Sequence, residues 1–321
     1  MVVTSIIVLT NMQPDGQSLG QALYGGSPFC YLYEMGKEGS MCEFCHKHGE
    51  GKKWYLQAKN YSDDLVSDLR RRKFITDFFA HPETISRDFK RLEQLDKAPS
   101  FVRRVVTWRI SNNMKKVHFG QVVPIEDVEH IFDFVTSVVR MACLCRHITV
   151  GSEQRYCYGV SMVPNGGQLA QIIGSTTAGY LTGPDTAGIE SLSKDAALAA
   201  LREHEREGLC HTVWTFVPPF IGGICNCDRS DCLAMRTTVA HRVPLMFRAE
   251  YVAKVNPELC NGCRQCMRAC QFGAIDYSAA HKKVQLDLRR CYGCGVCRAT
   301  CAKDAITLYD RSAIPIAATI W

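Results

Sequence analysis

Eighteen cysteines in 321 residues set the chemical question for this chain. Eight of them form two runs of the pattern C-x2-C-x2-C-x3-C: Cys260, Cys263, Cys266 and Cys270, then Cys291, Cys294, Cys297 and Cys301. Thiolates spaced this closely converge on a soft metal centre, and this spacing is one that holds iron-sulfur cubanes. Zinc takes pairs of C-x2-C with a longer gap, and disulfides belong to oxidising compartments, so both suit the pattern poorly.

The two runs are an internal repeat at an offset of 31 residues, from Cys260 to Cys291, and the match extends beyond the cysteines. Val255 corresponds to Leu286, Gly262 to Gly293, Ala274 to Ala305 and Ile275 to Ile306, which reads as a duplicated strand, cysteine loop, short helix and strand. From about Tyr251 to Arg311 the chain resembles the bacterial two-[4Fe-4S] ferredoxin domain. In such domains the fourth cysteine of each run ligates the other cluster. The resemblance therefore implies one cluster on Cys260, Cys263, Cys266 and Cys301 and a second on Cys291, Cys294, Cys297 and Cys270. Gln271 and Ala302 stand where the proline after the fourth cysteine is usual.

Five more thiols lie upstream in two tight groups, Cys143-Leu-Cys145-Arg146 and Cys225-Asn-Cys227 with Cys232. With Gly208-Leu-Cys210-His211 and Ile224-Cys225-Asn226-Cys227, the span from about Val122 to Leu308 resembles a family of larger 4Fe-4S binding proteins. Those carry C-x-C-R, G-L-x-H and I-C-N-C ahead of a ferredoxin domain. In that family further cysteines tend to follow I-C-N-C directly; here Asp228 to Asp231 intervene before Cys232. A third iron-sulfur cluster on four of Cys143, Cys145, Cys225, Cys227 and Cys232 is the preferred expectation. A tetrathiolate zinc site or buried free thiols would use the same residues. Cys157 and Cys210 stand alone in sequence and are expected to be core thiols. His211 could tune a cluster by hydrogen bonding, or be a satisfied structural histidine.

Near the N-terminus, Cys42, Cys45 and His46, with His48 and Cys30, offer a zinc or cluster site. Read alone, C-x-x-C-H would suggest haem attachment, and a plain loop explains the same residues. His118, His130 and His281 have no partner at ligand spacing, and Trp108 and Trp214 are expected in the core.

These groups need elements to position them. Pattern and capping signals predict helices from Ser62 to Phe79 and from Ser86 to Leu95, then weak strands at Phe101–Ile110 and Phe119–Val123. Pro124 opens a helix whose apolar face runs through Val128, Ile131, Phe132, Val135, Val138 and Val139 and ends near Cys143. Residues 151–188 read as loop around Cys157, with a strand or short helix near Leu169. Ser193 caps a helix that ends at Gly208. Ala240–Glu250 reads as a polar joint.

The resulting expectation is an α+β chain. Mainly helical or irregular cysteine-containing regions (1–60 irregular, 61–120 helical, 121–250 middle domain) precede a duplicated ferredoxin-like dicluster domain (251–311) and a tail (312–321).

Composition of 46% hydrophobic and 22% charged residues excludes disordered and fibrous classes. No stretch reads as an export signal or a bilayer span, so a cytoplasmic location is expected. Neither G-x-G-x-x-G after a strand nor G-x4-G-K-[ST] occurs. An electron-transfer protein serving a redox protein or enzyme complex is therefore the leading expectation. Lys282, Lys283, Arg289, Arg290 and Arg298 would favour an acidic partner. A reductase with an open metal site in the middle domain is the alternative. A redox-sensing regulator touching nucleic acid through Arg70 or Arg103-Arg104 is the third, and the acids beside those residues argue against it.

Overall fold

In a computed structural model, residues 53–151, 154–176, 179–182, 188–318 and 320 are described. Cys30, Cys42, Cys45, His46 and His48 lie outside the described residues. Helices α1 (Leu69–Ala80), α2 (Pro82–Leu95) and α3 (Ser100–Val117) come first. Ser62 caps only a short 3-10 turn. The cap of α1 is Asp68, whose carboxylate accepts from the Arg71 N–H.

The middle of the chain is neither mainly helical nor irregular. Seven strands form one sheet: β1 (Gly120–Val122), β2 (Ser137–Met141), β3 (Cys157–Ser161), β4 (Glu190–Leu192), β5 (Cys210–Thr215), β6 (Ile221–Cys227) and β7 (Met246–Phe247). Their order is β4-β2-β3-β6-β5-β1-β7, antiparallel except for β1 with β7. Alternation on the strands divides two cores. Val138, Tyr158, Val160, Val213 and Ile224 pack under helices α4 (Ile125–Phe134) and, further along the chain, Lys194–Arg206. Val139 and Met141 point to the other face, against α1 and the helix Gly167–Gly174.

Several sequence expectations change here. The helix opened by Pro124 ends at Phe134, and Val138 and Val139 lie on β2. A spacing of three to four apolar residues had joined them, but Val135-Thr-Ser-Val-Val is β-branched and extended. The strand expected at Phe101–Ile110 is inside α3. Trp108 on that helix is 58% exposed rather than core, whereas Trp214 is buried. Cys157, expected in loop, begins β3, and the polar joint contains β7. The core holding Val66, Ile75 and Phe79 also holds Val139, Leu169 and Phe220, so packing runs across the expected boundary near residue 120.

The C-terminal repeat is two short antiparallel strand pairs, β8 (Tyr251–Val255) with β11 (Ile306–Asp310) and the hairpin β9 (Ile275–Ser278) with β10 (Lys283–Leu286). Its two helices are Gln265–Ala269 and Val296–Ala299. Specific bonds dock it on the sheet. Buried Asp127 of α4 accepts from Tyr251 Oη at 2.9 Å and Tyr55 Oη at 2.6 Å, and Glu126 pairs with Arg298 at 2.5 Å. Gln271 donates to the Gly208 carbonyl at 2.7 Å and accepts from the Arg229 N–H at 2.9 Å. The residue that replaces the usual proline therefore carries a contact that proline could not make.

Candidate metal centres

The crosswise sets assemble in space. Cys260, Cys263, Cys266 and Cys301 line one small cavity with Val284 and Ile306. Cys270, Cys291, Cys294 and Cys297 line another with Phe272 and Ile275. Each set takes three cysteines from one loop and the fourth from the other repeat, because that fourth cysteine follows the short helix and is delivered across the pseudo-twofold.

The donor set suits a thiolate-bound group. Backbone N–H groups aim at sulfur from Ala274 to Cys270 at 3.2 Å and from Ala305 to Cys301 at 3.4 Å, a pair related by the repeat. Ala253 N–H does the same for Cys291 at 3.4 Å. Such bonds favour the charged thiolate. Burial and the neighbouring Cys301, Cys260 and Cys263 push Cys266 up to about 11. Cys263 is exposed while Cys270, Cys291, Cys294 and Cys297 are all buried, so the first set lies nearer solvent.

Upstream, the sheet gathers more thiols than the sequence paired. β2 and β3 are antiparallel, as are β3 and β6, and β6 and β5. The end of β2, the start of β3, the end of β6 and the start of β5 therefore meet at one edge, bringing Cys143, Cys157, Cys225, Cys227 and Cys210 together. Two short helices then start there, α5 (Leu144–Val150), capped by Cys143, and Leu233–Val239, capped by Cys232.

Six thiols form a connected line. Cys225 Sγ is 3.7 Å from Cys157 Sγ. Cys143 neighbours Cys145 and Cys157, and Cys232 neighbours Cys145 and Cys227. Cys145 and its companions hold Cys143 and Cys232 well below the ordinary thiol range, helped by the N–H groups of Arg146 and Met235 at the two helix starts. The partner thiols Cys145, Cys157 and Cys227 are held up by the same neighbours and by burial.

Arg146 is the cation of this site. It is 1% exposed, bonds to Asp228, donates to the Asn226 carbonyl at 3.1 Å and to Cys143 Sγ at 3.7 Å, and lies over the Tyr156 ring at 4.1 Å. Burial opposes its charge, but Cys143 and Asp228 hold it firmly protonated. In the sequence this arginine stands only as part of the Cys143-Leu-Cys145-Arg146 motif. Tyr156-Cys157-Tyr158-Gly-Val160 was the missed strand signal, and it carries Cys157 into the site.

Cys210 bridges to the dicluster domain: it faces Cys227 in register on β6, and its thiol lies beside Cys294. His211 beside it bonds Asn226 Oδ1 through Nδ1 at 2.7 Å, and burial lowers it to about 4. The thiol line also borders a cavity of about 210 Å³, walled by Phe74, Phe78, Phe89, Met114 and Phe216. His118 in that wall donates from Nδ1 to the Thr215 carbonyl at 2.5 Å, and burial lowers it to about 4, so it is neutral. Of the five cations expected to meet a partner, Arg298 is paired with Glu126, Lys283 bonds the Pro257 carbonyl, and Arg290 is 3.8 Å from Asp276.

Residues 259–305 match the family model of the 4Fe-4S dicluster domain. Over 79 residues the chain is 33% identical to the indolepyruvate oxidoreductase subunit IorA of Pyrococcus abyssi (strain GE5 / Orsay). That segment is 24% of this chain and 12% of that protein. No solved structure matches the chain. The matched domain supports two iron-sulfur clusters at the C-terminal end, and among the described residues no helix is long and apolar enough to cross a membrane.

Proposed function

We propose that the chain is an electron-transfer component of an oxidoreductase system, carrying single electrons between a partner redox protein or enzyme and an inner metal centre. The carrying observation is continuity: the buried Cys270/Cys291/Cys294/Cys297 set touches Cys210 through Cys294, and Cys210 faces Cys227 of the thiol line. Cys260, Cys263, Cys266 and Cys301 would hold one [4Fe-4S] cluster, and Cys270, Cys291, Cys294 and Cys297 the second. Cys143, Cys145, Cys227 and Cys232 would hold a third, or a zinc ion. When bound, a cubane supplies one-electron storage at a potential set by its surroundings.

The protein's own residues do the rest. The exposed Cys263 side, with Lys282 and Arg289 exposed beside the repeat, meets the partner, and acidic charge there would be attracted. Phe272 stacked on Tyr292 at 3.9 Å closes the second set from water. Arg146 balances thiolate charge at the inner site. The similarity of one segment to an oxidoreductase subunit supports the same reading.

Iron and acid-labile sulfide per chain, measured on anaerobically purified protein, test it. About twelve of each is the result for three cubanes, and about eight with one zinc would make the inner site structural. Near zero iron in folded protein would refute the proposal. The cavity beside the inner thiols favours a second reading, in which an uncharged substrate is reduced there. A change in the EPR spectrum on adding that substrate to the isolated protein would distinguish it from a pure carrier.

A further inference from the structure

The six upstream thiols divide into four and two. Cys143, Cys145, Cys232 and Cys227 are successive neighbours, enough for one tetrahedral or cubane donor set. Cys225 instead meets Cys157, directly opposite it on the neighbouring antiparallel strand, with the sulfur atoms 3.7 Å apart. Both are half-buried, as is Cys145, whereas Cys143, Cys227 and Cys232 are buried, and all six line the apolar cavity.

We propose that Cys157 and Cys225 are a redox-active dithiol/disulfide couple, coupled to the iron-sulfur chain and reached through the cavity. The proposal rests on the electron-transfer reading only for the source and sink of electrons. Directly opposed residues on antiparallel strands have Cβ atoms about 4.5–5.5 Å apart, and a disulfide needs about 3.5–4.5 Å. Small approach of β3 and β6 and a turn of each side chain close that gap. The next pair on that face is Gly159 opposite Gly223, so no side chains hold the strands apart.

In the oxidising direction, two S–H bonds break and one S–S bond forms. Two protons leave, and the two electrons released would be taken up singly by clusters held on the two C-terminal cysteine sets, one each. The reverse consumes two protons and two cluster electrons. With an external disulfide as oxidant, the Cys157 and Cys225 hydrogens and the electron pair go to its two sulfurs, releasing two thiols. The apolar walls admit an uncharged disulfide and oppose a charged one.

The test uses the full chain, purified anaerobically and treated with 2-hydroxyethyl disulfide. Free thiols are then alkylated under denaturing conditions, and peptides are mapped by mass without reductant. The expected product is a cross-linked pair joining Cys157 to Cys225, lighter by two hydrogens than its two peptides. In the cross-linked protein, reducing both clusters and removing excess reductant should be followed by loss of two cluster spins per disulfide opened. Cys157→Ser should abolish the cross-link and leave iron per chain unchanged, with Cys225→Ser as a second variant if the first does not fold. Cross-links confined to other cysteines, or loss of about four irons in both variants, would overturn the proposal by making the pair inert or a ligand. If wild type holds about eight irons and still forms the cross-link, the third centre fails and the couple stands.

Discussion

The thiol of Cys210 on β5 lies beside Cys294 of the dicluster domain, and this neighbour, together with the backbone N–H groups of Val296 and Cys294 itself, lowers Cys294 against the pull of its burial. Cys210 is fully buried and lies opposite Cys227, so one side chain touches the second cysteine set and stands beside the inner thiols.

A hydrogen bond to a ligating sulfur stabilises the more negative, reduced state. Cys210→Ala should lower the midpoint potential of the buried cluster by about 40 mV, the equivalent of about 1 kcal/mol for one electron. Cys210→Ser should retain most of the wild-type value. Potentiometric EPR of the two variants checks this, and equal shifts in both would assign the effect to packing.

Removal of Arg146 leaves Asp228 and two depressed thiols without their buried cation. Arg146→Met should cost about 3–5 kcal/mol of stability. It should also remove metal from the inner site while the eight C-terminal ligands keep theirs. Denaturant midpoints and metal analysis of the same preparation report the two effects separately.

Gly262 and Gly293 occupy the same place in the two repeats, both at φ +72°. A Cβ at Gly262 would run into the Lys282 carbonyl, and one at Gly293 into the Tyr251 carbonyl. Left-handed backbone favours glycine, and neither carbonyl can withdraw without disturbing the strand pair beside it. Gly262→Ala should therefore cost the outer cluster and Gly293→Ala the buried one, each seen as loss of about four irons and of one EPR signal.

Burial lowers His118 and His211 to about 4, below the unfolded value of about 6.5. The unfolded chain binds more protons between those values, so stability rises with pH from about 4 to about 6.5, by roughly 3 kcal/mol for each histidine. Glu205 works in reverse. Burial raises it to about 7, so the folded state holds the extra proton and stability falls as pH climbs from about 4.5 to about 7. Urea unfolding under anaerobic conditions should show a net rise from pH 5 to pH 7 in wild type. The rise should steepen in Glu205→Gln and flatten in His118→Phe.

What could be read from the sequence alone was whatever depends on near neighbours in the chain. The two C-x2-C-x2-C-x3-C runs, their 31-residue offset (260 to 291) and the paired glycines are local patterns, and the duplicated loop-helix units and cavities follow from them. Ser193 capping its helix is local in the same sense. The middle domain was not legible, because apolar spacing through Val135, Val138 and Val139 suits a helix as well as a helix followed by a strand, and only sheet pairing decides between them.

The inner site depends on that decision. Cys157 stood alone in sequence, 12 residues from Cys145 (145 to 157) and 68 from Cys225. It joins the thiols because antiparallel register sets Cys157 opposite Cys225, and Cys210 opposite Cys227. Arg146 acquires its role in the same way, from an Asp228 that lies 82 residues away. Strand order is a global property of the packed chain, so tertiary structure alone determined which of these residues share a site.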